Sequence, residues 1–238
     1  VKKDLILDRI SKYAGTISAL LVIVLSLLVT YDAVMRYLFS AGSIALQEIE
    51  WHIYDMIFLF GISYALYRDK HVRVDIFYEN YTSDAKAMIE ILSMLFLVIP
   101  FSMILINNAY DMALQSYIQN EVSSDPGGLS YRYVIKSMIV LSFLLLIIQS
   151  ISEIIRSLYS LRSKKVLWIS LILITVVAIS LALGIYFDME FWVDPIYLMF
   201  LLSLILLLSG FQVAFVFAGV ALLFALLSNE VGLGVFEM

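Results

Sequence analysis

Long apolar runs separated by short polar clusters set the pattern of the chain. Tyr13 to Tyr31 and Ile91 to Tyr110 carry no charged residue, and Trp51 to Tyr67 is apolar except for His52 and Asp55 at one end. Ser137 to Ser152 is also uncharged, and Tyr133 to Ile135 can extend it. Two further uncharged runs follow, Val166 to Phe187 and Ile196 to Asn229. Crossing a hydrocarbon core of about 30 Å takes about 20 mostly apolar residues as a helix. A backbone in lipid must also satisfy its own hydrogen bonds. The pattern therefore predicts an all-α, polytopic transmembrane helical protein. As one helix the last run would measure about 50 Å at 1.5 Å per residue. Gly210 lies inside it, so two readings stand side by side: a break into two short helices, or one long tilted helix. Pro100 lacks the N–H that a helix interior needs, which predicts a kink in the third run.

Composition agrees. Hydrophobic residues make up 63% and charged residues 15% of 238, against about half and about a quarter in soluble domains. There is no cysteine, hence no disulfide, thiolate nucleophile or cysteine metal site. Neither a basic nucleic-acid footprint nor a solenoid-length repeat is present. The first run follows Lys2 and Lys3, as in a signal peptide, but it is long for one. The chain then continues Tyr31-Asp32-Ala33-Val34 with no small-residue cleavage site, so a retained helix is expected.

Charge placement sets the expected orientation. Lys2, Lys3, Arg9 and Lys12 precede the first run; Arg68, Lys70, Arg73 and Lys86 follow the second; Arg156, Arg162, Lys164 and Lys165 follow the fourth. The alternate connections hold only Arg36, Arg132 and Lys136, and the segment from Asp188 to Pro195 holds no cation at all. By the positive-inside rule the richer side is cytoplasmic, which places the amino terminus in the cytoplasm of a multi-pass bacterial inner-membrane protein.

Candidate functional positions cluster at the ends of the runs. Asp32 and Arg36 share a helix face at i, i+4, either as an intrahelical pair or as a contact to a partner subunit. Glu48, Glu50 and Trp51 open the second run, where acids suit a helix start and indole suits the interface, and the two glutamates can alternatively dock a periplasmic partner. Arg73 and Asp75 lie in a charged stretch after it that anchors the inner side and can hold anionic lipid headgroups. Ser123-Ser124-Asp125-Pro126-Gly127-Gly128-Leu129 is the clearest turn in the chain, either a plain connector or a shaped contact surface on the outer side. His52 and Asp55 lack the further ligands of a metal centre. His52 and His71 fall at opposite ends of one predicted helix and cannot sandwich a haem. Nucleotide loops, hydrolase triads and metalloprotease motifs are absent. Catalytic, metal and cofactor-binding residues are therefore expected to be none, and the protein is not expected to be an enzyme. A membrane enzyme, an electron carrier and a self-contained channel are the rival classes, and charge-free run interiors argue against the channel.

Four motifs occur in one order. They are Asp32-Ala33-Val34-Met35-Arg36-Tyr37-Leu38-Phe39, Glu48-Ile49-Glu50-Trp51, His71-Val72-Arg73-Val74-Asp75 and Asp125-Pro126-Gly127-Gly128-Leu129. Together they resemble the small membrane subunit, Q type, of tripartite ATP-independent periplasmic (TRAP) transporters. The segment from Ile196 through Gly210-Phe211-Gln212-Val213-Ala214-Phe215 resembles the start of the large, M-type subunit, although that family more often has Gly-x-Pro-Val at Gly210. The resemblance implies a Q-type four-helix domain over 1–163, a linking transmembrane helix and periplasmic connection over 164–195, and the start of an M-type transport domain over 196–238. The chain is then the front part of a longer fused protein. It also implies sodium-coupled import of organic acids by an elevator movement, with sodium ions held in the remainder of the transport subunit. The implied partners are that large subunit, fused or separate, a periplasmic substrate-binding protein and membrane lipids, with no nucleic acid. No substrate-binding residue is expected in this segment.

Overall fold

The structure, a computed structural model, describes residues 5–161 and 195–231. The expected linking helix, Val166 to Phe187, lies outside the described residues. Among those described the chain is all-helical apart from one isolated antiparallel bridge.

Helix α1, Asp8–Phe39, has 32 residues, about 48 Å at the helical rise. The Asp8 carboxylate starts it by accepting from Leu5 N–H at 2.7 Å. Ser40 ends it in the left-handed conformation at φ 50, its N–H turned back to the Met35 carbonyl. Helix α2, Ile44–Tyr67, begins at Ser43, whose hydroxyl oxygen accepts from Leu46 N–H at 3.3 Å. Asp69 at φ 53 ends it, with Lys70 N–H on the Ala65 carbonyl.

A short helix α3, Asp75–Tyr78, precedes α4, Ser83–Ser93, which Thr82 caps. A single π turn, Met94–Val98, then joins α4 to α5, Ile99–Ile118. Pro100 explains the π turn. Its nitrogen cannot donate, and the backbone widens so that Ile99 N–H reaches back to Met94 O instead. The expected disruption is thus absorbed without ending the helix. Helix α6 is Tyr133–Ser160.

The long final run is broken, not tilted. Helix α7, Pro195–Leu208, and helix α8, Val213–Val231, flank Gly210 at φ +89. Glycine alone adopts that angle freely, so the break forms although proline is absent.

Among the described residues three helical stretches are long and apolar enough to span a bilayer: α1, the continuous Ser83–Ile118, and α6. Helix α2 is not among them, because Glu48, Glu50, His52 and Asp55 occupy its first half. Its apolar part is the expected second run, Trp51 to Tyr67, which is short for a span.

Two compact units are present, each drawn from separated parts of the chain. The first comprises Val1–Lys70 and Ser102–Ser152. Here α1 packs on α2 with Gly15 against the Tyr64 ring, where a Cβ would lie 2.4 Å from Tyr64 Cγ. Ser18 Oγ donates to the Ile57 carbonyl at 2.8 Å, and Ser142 of α6 donates to the Leu59 carbonyl. Asp8, fully buried, accepts from Ser152 Oγ at 2.7 Å and Gln149 Nε2 at 3.2 Å. Small residues and serine hydroxyls make these seams, as expected where lipid competes equally for apolar side chains. The outward side of α1 stays uncovered: Leu20, Ile23 and Leu27 are 58%, 59% and 68% exposed.

The second unit comprises His71–Phe101 and Glu153–Met238. Met94, Val98, Phe215, Val216 and Val220 are buried within it. Gly219 lets α8 approach the π turn closely, since a Cβ there would sit 2.6 Å from a Leu97 methyl.

Candidate functional site

In the first unit the loop between α5 and α6 is folded around one carboxylate. Asp125-Pro126-Gly127-Gly128 closes a turn, with Gly128 N–H on the Asp125 carbonyl at 2.9 Å and Gly127 at φ +83. Proline second and a positive φ third are what a type II turn requires. Ser123 N–H then meets the Leu129 carbonyl at 2.9 Å and closes the neck of the loop.

Glu48, on the first turns of α2, grips this neck. One carboxylate oxygen accepts from Ser123 Oγ, and the other accepts from Leu129 N–H at 2.6 Å. A Cβ on Gly128 would stand 2.5 Å from Ser123 Cβ and 2.9 Å from Glu48 Oε2. The two glycines therefore serve different needs, Gly127 a backbone angle and Gly128 a close approach. The Leu129 N–H, then the Ser123 hydroxyl, hold the Glu48 carboxyl below its ordinary range. Beside them Glu121 accepts from Lys136 Nζ and lies 3.9 Å from Arg132 Nε. The Lys136 ammonium holds Glu121 below its ordinary range too.

A groove of about 760 Å³ opens beside this brace, lined by Trp51, His52, Asp55, Asp125, Arg132 and Lys136 among others. Trp51 is 70% exposed. Both acids and bases line the groove, with an indole at its edge, which makes it suited to a mixed polar surface more than to a small anion. Glu50, which precedes Trp51 on α2, has its Oε1 buried with no hydrogen-bond partner among the described residues.

The remaining sequence candidates lie elsewhere. Asp32 and Arg36 form the i, i+4 ion pair on α1, with the Asp32 side chain 2% exposed and Arg36 49%. Asp32 Oδ1 is buried and has no hydrogen-bond partner among the described residues. Asp75 opens α3, but its side chain is not among those described.

In the second unit the segment of Arg73 meets the break at Gly210, two candidates that stand far apart in the chain. Arg73 Nη2 donates to Glu90 Oε2 at 2.6 Å, with the two side chains 7% and 13% exposed. Gln212 Nε2 donates to the other Glu90 oxygen at 3.4 Å. Arg73 pairs with Gln212 in the antiparallel bridge, and Val213 N–H donates to the Val72 carbonyl at 3.0 Å. The Tyr78 ring covers Gly210, and Arg73 lies 5.3 Å from that ring centre.

Sequence reasoning passed over Glu121 and Glu90, and it gave Ser123 and Gln212 no role of their own. The signal for Gln212 was present as a lone amide between Phe211 and Val213. Glu90 stands one residue before the uncharged run Ile91 to Tyr110, a place where a partner is needed.

Comparison with known families adds the identity. Residues 25–160 match the family described as tripartite ATP-independent periplasmic transporters, DctQ component. No curated protein matches the chain. The match takes in α2 through α6, with the later part of α1 from residue 25, and so contains the Asp32–Arg36 pair, the Glu48 brace and the Arg73–Glu90 pair, whereas α7 and α8 fall outside it. Its long apolar helices mark an integral membrane protein, and the chain belongs to the DctQ family, the small membrane component of TRAP transporters.

Proposed function

We propose that this chain is the static membrane scaffold of a sodium-coupled TRAP transporter importing organic acids, and that the segment from Ile196 onward begins a fused large subunit. The observation that carries the scaffold reading is α1. It is a 32-residue apolar helix, and only 6% of its most hydrophobic window is buried. A surface of that kind needs lipid or the helices of a second membrane component, and the family works beside a large transport subunit. Cations crowd the amino terminus and the segment after α2, which supports a cytoplasmic amino terminus. The Glu48 brace then faces the periplasm. Uptake by the large subunit in reconstituted vesicles tests the role. Removal of residues 1–163 should abolish sodium-driven uptake, and full uptake by a well-folded remainder refutes the scaffold role.

A second reading concerns the groove beside the brace, which supports a docking surface for the periplasmic substrate-binding protein. Its exposed Trp51 and Asp125 are available for contact, whereas Glu48 is already occupied by the loop. Trp51→Ala with Asp125→Lys should raise the binding-protein concentration needed for half-maximal uptake. An unchanged concentration dependence rejects this reading.

A further inference from the structure

The contact between residues 71–90 and the break at Gly210 is built from unlike parts. Phe211, Phe215 and Val216 around the break are apolar and buried, at 9%, 3% and 0% exposure. Gln212 is fully buried among them and is polar. Its amide nitrogen reaches Glu90, while its oxygen has no hydrogen-bond partner among the described residues. The backbone around it is paired at two points, Arg73 with Gln212 and Val72 with Val213.

We infer that Gln212 is the register-determining residue of the junction between the DctQ-matched region and the helical pair that follows it, recognised by the Arg73–Glu90 ion pair. Apolar side chains in a membrane pack about equally well on lipid and on protein, so they set little register. A lone buried amide among them does set it, much as one buried polar residue fixes the alignment of a coiled coil. A slip by one residue would bring Phe211 or Val213 to Glu90. Neither can donate from its side chain, and a buried carboxylate next to them would lose a partner. Gly210 sets a second mark on the same junction. The Tyr78 ring lies where any other residue would place its Cβ, 2.5 Å from Tyr78 Cδ2. Together these contacts seat the broken-helix turn on residues 72–90 in one alignment. The inference stands on this geometry alone and holds whatever the substrate or coupling ion.

The test uses the absence of native cysteine. Val72→Cys with Val213→Cys reports the observed alignment, and Val72→Cys with Ala214→Cys reports a slip of one residue. Each full-length chain is oxidised in native membranes, digested, and its disulfide-linked peptides are quantified by mass spectrometry. The 72–213 link should dominate in the parent background. Adding Gln212→Leu should bring the two yields close to equal, and so should Glu90→Leu, which leaves no acceptor for the amide. The exchanged pair Glu90→Gln with Gln212→Glu returns a carboxylate to Arg73 and should restore the preference. Should the leucine variant fail to accumulate, Gln212→Asn provides the same readout, because its shorter side chain falls short of Glu90. A preference that survives every loss of the amide contact overturns the inference, and so does a parent chain with no 72–213 link.

Discussion

Glu48 and Glu90 do similar chemistry in different surroundings. Each carboxylate takes donors on both oxygens and so joins segments far apart in the chain: α2 to the loop before α6 in one case, α4 to residues 73 and 212 in the other. Glu48 is only partly covered, and its donors are a hydroxyl and a backbone amide, so breaking the brace lets water replace both. Glu90 is 13% exposed, and its first donor is a guanidinium that is itself 7% exposed. If the Glu90 contact breaks, a charge is left where little water can reach it. The difference teaches that contacts of equal length carry unequal weight, and that burial of the group left behind decides which matters more.

The largest expected effect follows from that asymmetry. Arg73→Met takes the guanidinium away from the buried Glu90 carboxylate and should cost about 3–5 kcal/mol. Arg73→Met combined with Glu90→Met removes both charges and should regain much of that loss, since well-packed apolar groups can replace a buried pair at little cost. Thermal unfolding in detergent, followed for both variants and the parent, checks the difference. If the double variant is as unstable as the single, the two charges are not coupled and the contrast with Glu48 fails.

A smaller loss is expected at the brace, and it should divide between the glycines by mechanism. Gly128→Ala drives a methyl toward Ser123 Cβ, which cannot swing aside, and toward the Glu48 carboxylate. Such overpacking costs about 1–3 kcal/mol. Gly127→Ala meets no neighbour within 4 Å and suffers only its φ of +83, worth about 1–2 kcal/mol. Cleavage of the loop by an added protease should therefore rise in both variants. Only Gly128→Ala should release Glu48, read as loss of the pH dependence described below. Equal behaviour of the two variants contradicts the assignment of separate roles.

How much of this was legible in the chain depended on range. Tyr13 to Tyr31 became the middle of α1, and Pro100 disturbed its helix where proline should. Asp125 to Gly128 made the turn those residues favour. All three are local, set by neighbours a few residues away. The fate of Gly210 was not local. A glycine in an apolar run permits a break without demanding one, and here Tyr78 packs against Gly210 while the Val72 carbonyl takes the Val213 N–H. The donors to Glu48 stand 75 and 81 residues away, and Gln212 stands 122 residues from Glu90. No period in the sequence encodes such pairings. The Q-type motifs marked Glu48 and Arg73 as positions of interest, but only the folded chain shows that Glu48 is engaged inward.

The brace should also respond to acid in a defined direction. Its two donors hold the Glu48 carboxyl below the ordinary value of 4.5 in the folded chain. The unfolded chain therefore takes up the proton first as pH falls. The stabilisation is complete well above that ordinary value. It fades as pH drops below it and is gone once pH has passed through the lowered folded value. Protease resistance of residues 119–132 should follow this course between neutral pH and pH about 3, whereas Glu48→Gln should flatten it. Glu121 is shifted the same way by Lys136, so Glu121→Gln is needed alongside to separate the two contributions. A profile unaffected by Glu48→Gln removes the carboxylate as the cause.

The smallest predicted effect lies in a seam between two helices of the first unit. Ser142 donates to the Leu59 carbonyl across the α6–α2 seam. That carbonyl already serves its own helix, so Ser142→Ala leaves it with a helical partner and leaves no donor stranded. Interhelical hydrogen bonds in membranes average about 0.6 kcal/mol for that reason, and a loss of this size is expected in reversible unfolding in mixed micelles. The buried Arg73–Glu90 pair should outweigh it several-fold, although its 2.6 Å contact is also a single hydrogen bond. A Ser142→Ala loss as large as that of Arg73→Met would mean that the seams, and not the charged node, fix the fold, and the ranking drawn from burial would have to be reversed.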